Sequence, residues 1–150
     1  MNGAPLALVV DDVAANREFA ERLLGGARFK VTAVGTGKAA LQVCAGLSEL
    51  TLALIDMKLP DMTGLELVAH LRERYTGSCL VVASMYDERS MIEKAFAAGC
   101  NIYLVKPHGF MELFQRLLKD GVNVLRNGPL LVIDQYGPRQ FKPIEKPPAV

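Results

Sequence analysis

Polar residues stand at the ends of four separate apolar runs in this chain, and their types point to one chemistry. Leu6–Val10 runs into Asp11 and Asp12, residues 50–55 into Asp56, residues 80–83 into Ser84, and Ile102–Val105 into Lys106. Each residue alone has a plainer explanation. An Asp-Asp pair caps helices, a lone Asp opens turns, and serines often close strands. Gathered at one edge, however, three carboxylates repel one another and raise each other's pKa values. A hard divalent cation keeps them ionised. Mg2+ suits carboxylate oxygens and retains waters that a phosphate can replace. A lysine ammonium and a serine hydroxyl at the rim complete a set suited to phosphoryl oxygens. The reaction implied is attack of a carboxylate on phosphorus, giving an aspartyl phosphate, while metal and ammonium neutralise the developing charge.

These residues meet only if the strand ends share one edge of a sheet. The chain alternates short apolar runs with helix-like stretches. Strands are expected at Leu6–Val10, 29–34, 50–55, 80–83 and Ile102–Val105, and helices at 14–24, 37–47, 65–74, Arg89–Ala98 and 109–119. In the first helix Phe19 and Leu23, and Ala20 and Leu24, share a face. Thr63 and Glu66 have capping-box spacing, Asp87 is placed to cap the fourth helix, and Gly99 stops it. The strands are apolar throughout, as expected when both faces are covered. Five β-α units in series predict an α/β fold with a doubly wound, five-stranded parallel sheet. In the order 2-1-3-4-5, the first and third strands are neighbours at the point where the winding reverses, where such sheets bind ligands.

The bulk properties restrict the function further. A length of 150 residues suits one domain with a real core. A formal net charge of +1 gives no field to attract nucleic acid or a membrane surface. No run approaches the roughly 20 apolar residues that span a bilayer. The opening MNGAPLALVV lacks the basic segment of a signal peptide. Cys44, Cys79 and Cys100 sit in apolar surroundings without CxxC spacing, so they read as buried reduced thiols in a cytoplasmic setting. After residue 120 the helical period ends. Val122 to Leu125 and Leu130 to Ile133 flank Arg126-Asn127-Gly128-Pro129, which predicts a β-hairpin, and KPIEKPPAV is a loose Pro-rich end. The organisation expected is therefore a domain over 1–120 and a tail over 121–150, too short for a second stable domain.

The segments LVVDD (8–12), ALIDMKLPDMTGLEL (53–67), VVAS (81–84), AAG (97–99) and YLVKP (103–107) resemble the response-regulator receiver domain of two-component signalling. The resemblance covers residues 5–120, with five separated positions agreeing in order and spacing. It implies the flavodoxin-like receiver fold, with Asp56 as phosphoacceptor. Asp11 and Asp12 would hold Mg2+ with Asp56 and the backbone carbonyl of Lys58. Ser84 and Lys106 would bind the phosphoryl oxygens. Tyr103 corresponds to the switch aromatic, which turns inward when the hydroxyl follows the phosphoryl group. The Lys106–Pro107 peptide is usually cis in such domains. The partners implied are a sensor histidine kinase or a histidine phosphotransfer protein, and a downstream effector protein. The catalysis implied is confined to the domain's own phosphorylation and dephosphorylation.

Some positions depart from that pattern. Lys58, two residues past Asp56, would place an ammonium near the metal and phosphoryl site, where it would weaken Mg2+ binding or change the phosphoryl lifetime; pointing to solvent is the plainer reading. His108 stands where Phe is common and Ile102 where Asp is common. Both alter the face of the fourth helix, fifth strand and fifth helix, the usual output and dimerisation surface. Homodimers through the 102–119 face or the tail are candidates. Thr63, in place of a common acidic residue, reads as a helix cap. His70 and His108 read as surface residues. Arg116, Lys119 and Arg126 are too scattered for direct DNA binding. Two rivals remain: a receiver-like binding module that never phosphorylates, and a phosphatase acting through an aspartyl phosphate. The intact Asp56, Ser84 and Lys106 argue against the first. The second needs an acid close to the nucleophile, where the chain has Lys58.

Overall fold

A computed structural model describes residues 3–107 and 109–142. Strands β1 (Leu6–Val10), β2 (Lys30–Val34), β3 (Leu52–Asp56), β4 (Cys79–Ser84) and β5 (Ile102–Val105) alternate with helices α1 (Ala14–Gly26), α2 (Gly37–Ala45), α3 (Gly64–Arg74), α4 (Arg89–Ala98) and α5 (Gly109–Asp120). Helix α6 (Val122–Asn127) and strands β6 (Leu131–Asp134) and β7 (Gly137–Gln140) follow. The sheet order is β2-β1-β3-β4-β5-β6-β7. Its first five strands are parallel and wound as the sequence predicts. The sheet is wider than expected by two strands.

The pleat explains why the central strands are apolar without a break. Successive side chains point to opposite faces, and both faces are covered. Leu8, Val10, Ile55 and Val82 pack on one side with Leu67 and Leu71 of α3. Val9, Leu54, Val81 and Leu104 pack on the other with Leu24 of α1 and Leu113 of α5. In α1 the inward pair is Ala20 and Leu24, whereas Phe19 is 44% exposed and meets Phe110 edge-on. Thr63 caps α3, its hydroxyl accepting from the Glu66 N–H at 3.1 Å. Gly99 ends α4 at φ +117°, in the left-handed region that favours glycine. Asp87 does not cap α4: Glu88 occupies the cap position, with no side-chain bond to the helix. The three cysteines are buried, free thiols, and burial pushes the Cys79 thiol up to about 12. No helix among the described residues is long and apolar enough to cross a membrane.

The segment after residue 120 differs from the hairpin read in the sequence. Val122 to Leu125 is helical, because a helical turn seats Leu125 in the core beside α5. The Asn127-Gly128-Pro129 signal ends that helix. β6 then joins the sheet parallel to β5, with Ile102 beside Leu131 and Tyr103 beside Val132. The hairpin forms one element later, between β6 and antiparallel β7. Its turn is held by Asp134, whose carboxylate accepts from the Tyr136 N–H at 2.9 Å, and by Gly137 at φ +94°. The sheet and core thus extend past residue 120. The Pro-rich end, 143–150, lies outside the described residues.

At the opposite edge of the sheet from the strand-end carboxylates, Arg72 ties several loops together. Its guanidinium donates to the carbonyls of Gly99 (2.9 Å), Tyr75 (3.1 Å), Thr76 (3.0 Å) and Ser78 (2.9 Å), and to the Asn101 side chain (2.6 Å). Asn101 also accepts from the Leu80 N–H at 2.7 Å and donates to the Arg126 carbonyl at 3.3 Å.

Candidate functional site

β1 and β3 are neighbours in the sheet, so the residues that end them share one edge. Asp11 is buried, 6% exposed. One of its oxygens accepts from the Val13 N–H at 2.9 Å and turns the chain from β1 into α1; the other lies 3.4 Å from Lys106 Nζ. The Arg17 guanidinium holds the Asp11 carbonyl at 2.8 Å. Asp12 beside it is exposed. Asp56 is the last residue of β3, and its Oδ1 accepts from Lys106 Nζ at 2.6 Å. Lys106 is aimed by its own backbone, whose N–H donates to the Ser84 carbonyl at 2.7 Å, and the Lys106–Pro107 peptide is cis.

One oxygen from each of Asp11, Asp12 and Asp56 lies within 4.8 Å of the others. Three converging carboxylate oxygens are the hard donors that Mg2+ takes, so the residues present fit that ion, with a small closing of the set to meet bonds of about 2.1 Å. Burial pushes the Asp56 carboxyl above the usual carboxylate range. The hydrogen bond and charge of Lys106 pull it back, and the Asp11 and Asp12 charges add to the rise.

The loop after Asp56 is pinned from several sides. Asp61 accepts from the Gly37 and Lys38 N–H groups at 2.9 and 2.8 Å, at the start of α2. Those two bonds hold its carboxyl below the usual range. The Gly64 N–H donates to the Met57 carbonyl at 2.7 Å.

Ser84 and Tyr103 form an adjoining network around Tyr86. The buried Ser84 hydroxyl accepts from the Tyr86 N–H at 3.0 Å, and the Tyr103 hydroxyl donates to the Tyr86 carbonyl at 2.7 Å. Tyr103 has no exposed surface, so the ring points inward. Burial raises its pKa, and a hydrogen bond with Ser84 lowers it in part. The Lys58 ammonium donates to the Tyr86 hydroxyl at 2.7 Å and sits 4.8 Å from that ring's centroid. The same bond raises the pKa of Lys58. Asn16, Asp56, Lys58, Ser84, Met85 and Lys106 line a cleft over the carboxylates.

The fold thus brings Asp11, Asp12, Asp56 and Lys106 together directly. Ser84, Tyr103 and Lys58 join through Tyr86. Sequence reasoning missed Tyr86, because an exposed-loop tyrosine two residues past a serine carries no local signal. His70 is exposed on α3; His108 lies outside the described residues.

An acidic pocket at the switch point of a 2-1-3-4-5 parallel sheet, crossed by a lysine from the fifth strand, defines the receiver class of α/β domain. The chain belongs to the response regulator receiver domain family, which it matches over residues 7–118. It is 32% identical over 107 residues to the two-component response regulator ORR5 of Oryza sativa subsp. japonica, covering 70% of this chain and 80% of that protein. It is 34% identical over 138 residues to the sensor histidine kinase AruS of Pseudomonas aeruginosa, covering 89% of this chain but 13% of that protein. Two solved structures share the fold. One is a CheY-like response regulator receiver domain protein from Methanospirillum hungatei JF-1, with TM-score 0.73 and 24% identity over 82% of this chain and 97% of that one. The other is the signal receiver domain of an HD domain-containing protein from Pseudomonas fluorescens Pf-5, with TM-score 0.72 and 24% identity over 83% and 91%. The chain is accordingly a receiver domain of two-component signalling.

Proposed function

We propose that Asp56 accepts a phosphoryl group from a sensor histidine kinase or a histidine phosphotransfer protein, and that the adduct switches a protein-binding surface. The observation that carries this reading is the Lys106 ammonium at 2.6 Å from Asp56, beside Asp11 and Asp12 oxygens close enough to share a cation. Asp11, Asp12, Asp56 and the Lys58 backbone carbonyl would hold Mg2+, which when bound supplies charge neutralisation at the phosphoryl oxygens. Lys106 binds a phosphoryl oxygen from the other side. Ser84 follows the phosphoryl group, and Tyr103 reports it by keeping its inward position. The Lys58 ammonium, held by Tyr86 over the cleft, tunes the site from its rim. The names of the relatives support kinase partners and an effector downstream. A cytoplasmic location is part of the same reading, as is a chemistry limited to the domain's own phosphoryl group. A homodimer through the 102–119 face competes with β6, which already covers β5; light scattering on the full chain decides between monomer and dimer.

The test is incubation with Mg2+ and acetyl phosphate. An acid-stable, base-labile adduct, present in the wild type and lost in Asp56→Asn, supports the reading. No adduct supports a binding module instead, and rapid turnover of many phosphate esters supports a phosphatase.

A further inference from the structure

Residues 131–142 cover the strand that carries Tyr103, and the cover has two unequal layers. β6 is laddered to β5 within the sheet, with Val132 beside Tyr103. β7 is only four residues long and ends the sheet. The chain beyond β7 is pinned on α4 instead. The Phe141 ring stacks on Phe96 at 4.5 Å, and its N–H donates to the Leu130 carbonyl at 2.7 Å. The Arg89 guanidinium lies 5.3 Å from the Phe141 ring centroid and donates to the Lys142 carbonyl at 2.7 Å.

This pinning point is linked to the network around Tyr86 in two ways. Arg89 opens α4, three residues past Tyr86, whose N–H meets Ser84 and whose carbonyl takes the Tyr103 hydroxyl. Phe141 and Val132 belong to the same buried cluster as Tyr103. Val132 is also the ladder partner of Tyr103, so the docked segment adds to the packing that encloses the inward ring.

We propose that residues 137–142 form a strap whose docking on α4 is linked to phosphorylation of Asp56, each favouring the other through Tyr103 and the 84–88 loop. The proposal rests on the reading of Asp56 as phosphoacceptor. The coupling acts equally in both directions, because linkage between two equilibria is reciprocal. Phosphorylation tightens the strap, and loosening the strap disfavours the phosphorylated state.

The experiment is amide hydrogen exchange on the full chain with and without Mg2+ and acetyl phosphate, with adduct occupancy measured by mass. Phosphorylation is expected to slow exchange of the 137–142 amides about 5-fold or more, a modest coupling for linked sites. Phe141→Ala is expected to lower adduct occupancy at fixed acetyl phosphate in the same proportion. Arg89→Gln, at an exposed position that leaves the core intact, is expected to act in the same direction if Phe141→Ala fails to fold. An adduct on Asp56 with unchanged or faster exchange at 137–142 overturns the coupling alone. Unchanged occupancy in a folded Phe141→Ala or in Arg89→Gln overturns it too. Absence of any adduct overturns the phosphoacceptor reading and the strap with it.

Discussion

Replacing Gly64 by alanine tests how tightly the backbone of the acceptor residue is held. A Cβ at Gly64 would stand 2.4 Å from the Asp56 carbonyl oxygen and 2.9 Å from Met57 Cα. Ordinary contact begins at 3.4 Å, so the Asp56–Met57 backbone or the start of α3 must shift by 1.0 Å. Neither moves freely. Asp56 is the end of a central strand, and Gly64 is fixed by its bond to Met57 and by the Thr63 cap behind it. Overpacking of this kind costs about 1–3 kcal/mol of stability. A displacement of about 1 Å at a reacting group costs roughly 100-fold in rate. Gly64→Ala is therefore expected to slow phosphorylation by acetyl phosphate to that extent and to lower the urea midpoint. Gly77→Ala is the control, since nothing lies within 4 Å of a Cβ there. A folded Gly64→Ala protein that phosphorylates at the wild-type rate would show that the loop yields without moving Asp56, and the reasoning would fail.

Three further outcomes follow from the site. The Asp56 pKa is raised on folding, so its ionised form destabilises the fold. That penalty is absent below the unfolded value of about 3.9, grows as pH rises through the gap between unfolded and folded values, and is complete above the folded one. Mg2+ affinity should accordingly fall with acidification from above the ordinary carboxylate range; a loss of affinity confined to pH below about 3.9 contradicts this. Lys58→Ala removes an ammonium from the rim of an acidic site and should raise Mg2+ affinity, read by titration calorimetry. Unchanged affinity and an unchanged dephosphorylation rate would sink a role for that side chain. Tyr103→Phe deletes the donor to the Tyr86 carbonyl while keeping the ring, and should cost about 1 kcal/mol in urea unfolding; identical curves would mean that the bond contributes nothing net.

The five core strands and the site edge were legible for one reason. A strand buried on both faces has to be apolar along its length, so the first polar residue marks where it reaches the edge. Asp11, Asp56, Ser84 and Lys106 stand out on that rule alone. The rule fails where a short segment is buried on one side only. Val122 to Leu125 carries β-branched residues and reads as a strand, but it needs one inward side chain, Leu125, and a helical turn supplies it. The Asn127-Gly128-Pro129 signal was real as a stop and wrong as a hairpin. Tyr86 was invisible because its role lies in three bonds to residues from two strands and the loop after β3. Asp61 likewise looks like a turn residue, although both of its oxygens serve the start of another helix.

The Arg72 network bears on the order in which the chain can finish folding. Its bonds reach across 27 residues to Gly99 and 29 to Asn101, and Asn101 reaches a further 25 to Arg126. The Leu131 N–H closes the circuit on the Asn101 carbonyl at 3.1 Å. The Arg72 bonds need only the end of α3 and the segments that lead into β4 and β5, whereas the two outer bonds of Asn101 wait for α6 and β6. During synthesis, a chain grown only to residue 120 therefore has every Arg72 partner present, but an Asn101 whose bonds to Arg126 and Leu131 are still missing. α6 and β6 arrive as the closing members of the same cooperative unit, and a single unfolding transition for residues 5–134 is the natural result.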